Sequence, residues 1–165
     1  VLAPGLRLGF LVAPKALYPK LLQAKQAADL HTPSFNQRVA SEVLQGDFLE
    51  RHVPMIRALY KSQRDAMLLA LAREMPVTPG NTDASVTWNS PAGGMFLWVR
   101  LPAGMDAVKL LPKAVDKNVA FVPGAPFYAD NADPRTLRLS FVTATVEQIN
   151  VGMKALAAAI KEAMA

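Results

Sequence analysis

The strongest constraint on this chain lies at residues 76–83, where Pro76, Pro79, Gly80 and Asn81 crowd between two different hydrophobic periods. Proline removes a backbone donor and fixes φ, while glycine and asparagine favour turn conformations, so no helix or strand is expected to run through this stretch. Before it, Ile56, Leu59, Tyr60, Met67, Leu68 and Leu71 recur near helical spacing, leaving Arg57, Lys61, Arg64 and Asp65 toward water. After it, the apolar pattern shortens to that of strands. The expected organisation is a mostly helical part with one strand, residues 1–75, followed by a second part, residues 76–165, with a helix-covered, mainly antiparallel sheet. The fold class is α/β.

In the first part, a strand is expected over residues 6–12, ending at Ala13-Pro14. Helices should follow from residue 15 or 17 to residue 31 and from residue 35 to residue 44, separated by Thr32-Pro33-Ser34 and stopped by Gln45-Gly46. Asp47 and Glu50 form a capping-box pattern opening a long helix to about Met75, which Pro54 should kink or restart. In the second part, strands are expected over residues 84–88, 95–100 and 119–122 and around Arg138. The run Met95-Phe96-Leu97-Trp98-Val99-Arg100 is so apolar that burial on both faces is expected. Helices should cover residues 106–117 and the stretch after Thr145, where Thr145 and Gln148 suit a cap and Ile149, Met153, Leu156 and Ile160 share a face. A long loop is expected over residues 123–134. Gly93 and Gly94 precede a strand rather than a helix, so they read as a tight turn and not as a phosphate cradle.

Two arginines interrupt apolar strand patterns at opposite ends of the chain: Arg7 in Pro4-Gly5-Leu6-Arg7-Leu8-Gly9-Phe10, and Arg138 in Leu137-Arg138-Leu139-Ser140-Phe141. With period-2 alternation, each faces away from its leucine and phenylalanine neighbours. A guanidinium there has two readings. It lies on the wet face of a half-solvated strand, or its planar fork grips a carboxylate or phosphate bidentately.

The rest of the composition narrows the function classes. There is no cysteine, which excludes disulfides and thiolate metal sites, and His31 and His52 are the only imidazoles. No acid or nucleophile is patterned beside either histidine, so both are expected at surfaces or helix ends, and no metal site is expected. No apolar run reaches the roughly 18 residues that span a bilayer. The chain carries a formal charge of +5, but Lys15, Lys20, Lys25, Arg51, Arg57, Lys61, Arg64 and Arg73 are scattered among acids. That dispersion argues against nucleic acid as a partner. A cytoplasmic location without membrane contact is expected.

Five short motifs in order make the chain resemble the C-terminal part of class I/II, fold-type-I aminotransferases that use pyridoxal phosphate. They are Pro4-Gly5-Leu6-Arg7-Leu8-Gly9-Phe10, Tyr60-Lys61-Ser62-Gln63-Arg64-Asp65-Ala66-Met67-Leu68, Pro91-Ala92-Gly93-Gly94-Met95-Phe96-Leu97-Trp98, Val122-Pro123-Gly124-Ala125-Pro126-Phe127 and Leu137-Arg138-Leu139-Ser140-Phe141. The branch it most resembles contains 2-aminoadipate and multi-substrate aminotransferases. The resemblance implies that residues 1–75 are the end of the large cofactor-binding domain and residues 76–165 the small domain. It implies that Arg7 grips the phosphate of pyridoxal 5'-phosphate, that Arg138 grips the substrate α-carboxylate, that the substrates are an amino acid and a 2-oxo acid, and that the full-length protein is a homodimer.

The resemblance also implies a covalent lysine about seven residues before the phosphate-gripping arginine, which would fall just before Val1. On that expectation the 165 residues alone contain no catalytic residue, do not hold the cofactor and are inactive. Lys15, Lys20, Lys25, Lys61, Lys109, Lys113 and Lys117 fall on expected helix surfaces, where an amine stays protonated and forms Schiff bases poorly. Asn36 lies either in a loop that approaches a partner subunit's site, by resemblance, or at a helix cap. Phe127 and Tyr128 border the substrate side-chain pocket or belong to the core. An alternative whole-protein reading is the aminotransferase-like effector domain of a winged-helix transcription regulator.

Overall fold

A computed structural model of the chain describes residues 3–164, and its packing divides into two compact units between Ile56 and Arg57. The first unit opens with a 3-10 turn at Pro4–Leu6 and continues through helices α1 (Tyr18–Asp29) and α2 (Ser34–Val43) into the start of α3 (Phe48–Glu74). Pro19 sits in the first positions of α1, where its missing N–H costs no intrahelical bond. Helix α3 is not restarted at Pro54, which lies inside it at the cost of one rung of the hydrogen-bond ladder.

The strand expected over residues 6–12 does not form. Residues 7–14 carry no regular secondary structure, and Phe10, Leu11 and Val12 are 94%, 71% and 86% exposed. An apolar alternating segment becomes a strand only when a neighbouring strand takes its backbone donors and acceptors. Among the described residues of this unit there is no such strand.

The second unit is built on a four-stranded sheet of order β1-β2-β4-β3, from Thr87–Trp88, Phe96–Arg100, Val122–Pro123 and Thr136–Ser140, with every adjacent pair antiparallel. Asn89 closes the β1–β2 hairpin: its N–H donates to the Trp98 carbonyl at 3.1 Å, and its side-chain oxygen accepts from the Trp98 N–H at 2.8 Å. The helices α4 (Ala107–Val115) and α5 (Val146–Met164) start at side-chain caps. Asp106 accepts from the Val108 and Lys109 N–H groups at 2.7 and 3.3 Å. Thr145 and Gln148 exchange reciprocal bonds, the Gln148 oxygen accepting from the Thr145 N–H at 2.8 Å and the Thr145 hydroxyl from the Gln148 N–H at 3.2 Å.

One face of the sheet supplies the core. Leu97 and Val99 of β2 and Leu137 and Leu139 of β4 pack in one apolar cluster with Met67 and Leu71 of α3, Leu110 of α4, and Ile149, Met153, Leu156 and Ile160 of α5. The strand β2 is therefore not buried on both faces. Leu97 and Val99 are buried while Phe96 is exposed and Trp98 and Arg100 are half-buried, because the helices contributing to this core meet one face and leave the other open. Two further expectations shift. The third strand begins at Val122, and Val119 and Phe121 before it enter the core. Arg64, expected in solvent, reaches inward from α3 to donate to the Pro91 carbonyl at 3.1 Å while pairing with Asp65. Among the described residues no helix is long and apolar enough to cross a membrane.

Candidate functional site

The open face of the sheet converges on Arg138. Its position in the middle of β4 places it opposite Trp98 of β2 on one side and Val122 of β3 on the other. Alternation turns it away from the buried Leu137 and Leu139. Its guanidinium carbon lies 4.1 Å from the centre of the Phe96 ring and 4.7 Å from that of Phe127. Trp98 meets Phe127 edge-on at 5.8 Å and lies 6.3 Å from Tyr128. Arg138 thus lies on the open face of an antiparallel sheet, half-buried against two rings.

The other arginines of the sheet region show what Arg138 lacks. Arg100 donates to Asp133 at 2.8 Å, and Arg135 pairs with Asp133 at 3.1 Å and with Asp83 at 3.3 Å. Among the described residues no carboxylate pairs with Arg138. Ring contacts partly desolvate the cation and steady its plane. A guanidinium presents its N–H donors as a planar fork, which suits a carboxylate. The arrangement can bind a small carboxylate and orient whatever carries it.

The Phe127 ring is held there by a close backbone approach. Gly124 donates its N–H to the Thr136 carbonyl at 2.7 Å, and the 3-10 turn Ala125–Phe127 follows at once. A Cβ on Gly124 would stand 2.2 Å from the Thr136 hydroxyl oxygen and 2.9 Å from its carbonyl oxygen. Gly124→Ala must therefore push the turn away from β4. The expected result is a loss of stability of about 1–3 kcal/mol, read as a lowered Tm, from overpacking that the backbone cannot absorb.

Arg7, in the first unit, is built differently from the strand residue the sequence predicts. It ends the 3-10 turn in the left-handed region, with φ 54 and ψ 36, and its N–H donates to the Pro4 carbonyl at 3.1 Å. The side chain is exposed, and among the described residues it pairs with no carboxylate. Asn36 is neither in a loop nor a cap: it lies inside α2, and its side-chain amide donates to the Leu6 carbonyl at 3.1 Å.

The remaining candidates are peripheral. His31 Nδ1 lies 3.1 Å from the Thr32 carbonyl oxygen, and the His52 ring stacks on Phe48 at 5.0 Å near the start of α3. Every lysine is exposed except Lys117, which is half-buried and pairs with Glu162 at 2.9 Å. Gly94 takes φ 88 in the bend before β2, as a tight turn requires. The contribution of Phe96 was missed by reading β2 as buried on both faces. Strict alternation along Phe96, Trp98 and Arg100 would have put the ring on the same face as Arg138.

Comparison with known proteins gives a consistent picture. The residue pattern of the family described as aminotransferase class I and II matches residues 1–156. The 2-aminoadipate transaminase of Thermus thermophilus is 45% identical over 165 residues, all of this chain and 40% of the relative. An aromatic-amino-acid aminotransferase of Thermococcus litoralis is 44% identical over 99% of the chain and 38% of its own length. A crystal structure of the Thermus thermophilus α-aminoadipate aminotransferase, complexed with N-(5'-phosphopyridoxyl)-L-leucine, superposes with a TM-score of 0.79 at 44% identity, over 98% of this chain and 39% of that one. The chain thus spans about two fifths of the length of these relatives.

Proposed function

This chain belongs to the aminotransferase class I and II family, and from that premise we propose that the whole protein transfers an amino group between an amino acid and a 2-oxo acid with pyridoxal phosphate. The observation that carries the reading is Arg138, a half-buried guanidinium in contact with two rings, with no carboxylate partner among the described residues. Such a group is matched to the α-carboxylate common to both substrates. Arg7 is the corresponding grip for the cofactor phosphate. A dianion suits an exposed guanidinium that no acid among the described residues neutralises, so the donor set fits the cofactor.

Pyridoxal phosphate would supply the carbonyl that accepts the amino group and the ring that stabilises charge at the substrate Cα. The residues of this chain contribute binding and orientation. Arg138 fixes one end of the substrate, so that the Cα–H approaches in one direction. Phe96 and Phe127, whose ring centres lie 4.1 and 4.7 Å from the Arg138 guanidinium carbon, partly desolvate that cation and steady it. Arg7 anchors the phosphate end, which limits how the cofactor can rotate. The chain's own lysines are poor candidates for the covalent anchor: they are solvated or ion-paired, and an ammonium in water is not nucleophilic. We therefore expect the 165 residues alone not to hold the cofactor covalently and to be inactive.

The division into residues 1–75 of a large domain and residues 76–165 of a small one belongs to the same proposal, as does assembly of the whole protein into a homodimer. The winged-helix regulator takes second place, because relatives at 45% and 44% identity are named for transamination. Whole protein loaded with pyridoxal phosphate and mixed with 2-aminoadipate or an aromatic amino acid, without an acceptor, should release one 2-oxo acid per cofactor. Release of none from either amino acid, by protein that retains the cofactor, would favour the regulator.

A further inference from the structure

We infer that Asn36 is a positioning residue for Arg7, an assignment that rests on the reading of Arg7 as the phosphate grip. The peptide unit joining Leu6 to Arg7 is pinned from both sides. Its N–H, on Arg7, donates to the Pro4 carbonyl at 3.1 Å, and its carbonyl, on Leu6, accepts from the Asn36 side-chain amide at 3.1 Å. Arg7 itself sits at φ 54, a conformation that a residue with a Cβ occupies only when surrounding contacts determine it.

The local turn alone supplies one of those contacts. The Pro4–Leu6 turn is a single 3-10 turn with no buried residue and no side-chain cap, so it has little to resist unwinding. Asn36 adds a bond across 30 residues of sequence, from helix α2. Rotation of the Leu6–Arg7 peptide would break both bonds and swing the Arg7 side chain to a new direction. Asparagine suits this task because its amide is a donor on a short stem with few rotamers to fix. Aspartate would present only acceptors to the Leu6 carbonyl, and alanine would present nothing.

The test is equilibrium binding of pyridoxal phosphate, and of pyridoxal without its phosphate, to the cofactor-free whole protein and to its Asn36→Ala, Asn36→Asp, Arg7→Ala and doubly substituted Arg7→Ala/Asn36→Ala forms. Asn36→Ala should weaken pyridoxal phosphate by about 3- to 10-fold, the worth of one neutral hydrogen bond. Asn36→Asp, nearly isosteric, should weaken it at least as much without lowering the Tm of the cofactor-free protein. Neither should change pyridoxal binding, and Asn36→Ala should add nothing once Arg7 is gone. Equal weakening of both ligands, or a full additional loss in the Arg7→Ala background, would overturn the inference. So would an Asn36→Ala protein that binds normally while Arg7→Ala does not. An Arg7→Ala protein that binds pyridoxal phosphate normally would instead overturn the phosphate-grip reading, and the inference with it.

Discussion

Replacing Arg138 by lysine in the whole enzyme is expected to raise the KM for the amino acid and for the 2-oxo acid together, by about 10- to 100-fold. That range corresponds to about 1.5–3 kcal/mol, the worth of a charge-assisted hydrogen bond. Lysine keeps the charge but loses the fork that meets both carboxylate oxygens. It also loses the flat surface that meets Phe96 and Phe127. Both substrates share the α-carboxylate, so an effect on one alone would mean that Arg138 contacts a side chain instead. Unchanged Michaelis constants for both would remove Arg138 from the site.

Arg7→Ala is expected to weaken the whole protein's hold on pyridoxal phosphate by about 100-fold, roughly 3 kcal/mol for a phosphate contact made by a guanidinium. Dialysis followed by cofactor quantification measures it. Binding of pyridoxal, which has no phosphate, should be nearly unaffected, because the guanidinium has nothing to grip. Equal losses for the two ligands would mean that the substitution disturbs the turn at Pro4–Leu6 rather than a phosphate contact.

The place of Arg138 in a strand, turned away from Leu137 and Leu139, was legible in the sequence because alternation specifies it. The same alternation misled at Arg7. The segment has a strand pattern, yet a strand is a property of a pair, and the described residues of its unit contain no neighbouring strand for it. Helices α3 and α5 were readable since local periodicity specifies both and a reciprocal cap starts the second. The ends of the short strands β1 and β3 were not, because register and burial decide them and both depend on distant partners.

The aromatic surround of Arg138 was hidden for a related reason. Phe96 follows Arg138 through a cross-strand register, and Phe127 reaches it through the close approach of Gly124 to Thr136. Alternation along β2 gives the face of Phe96 but not the register that brings it to Arg138, and the approach of Gly124 to Thr136 leaves no spacing signal at all. Asn36 is a similar case, since its bond to the Leu6 carbonyl joins residues 30 apart that share no pattern.

The central claim is a division of labour, with Arg7 holding the cofactor phosphate and Arg138 the substrate carboxylate. It is tested most directly by measuring two quantities on the same preparations of the whole protein: the cofactor dissociation constant, and the KM for the amino acid at saturating cofactor. Arg7→Ala should change the first and leave the second within about twofold, and Arg138→Lys should do the reverse, since each guanidinium is assigned to a different anion. A variant that moves both quantities to the same extent, or an exchange of the two effects, would contradict the account.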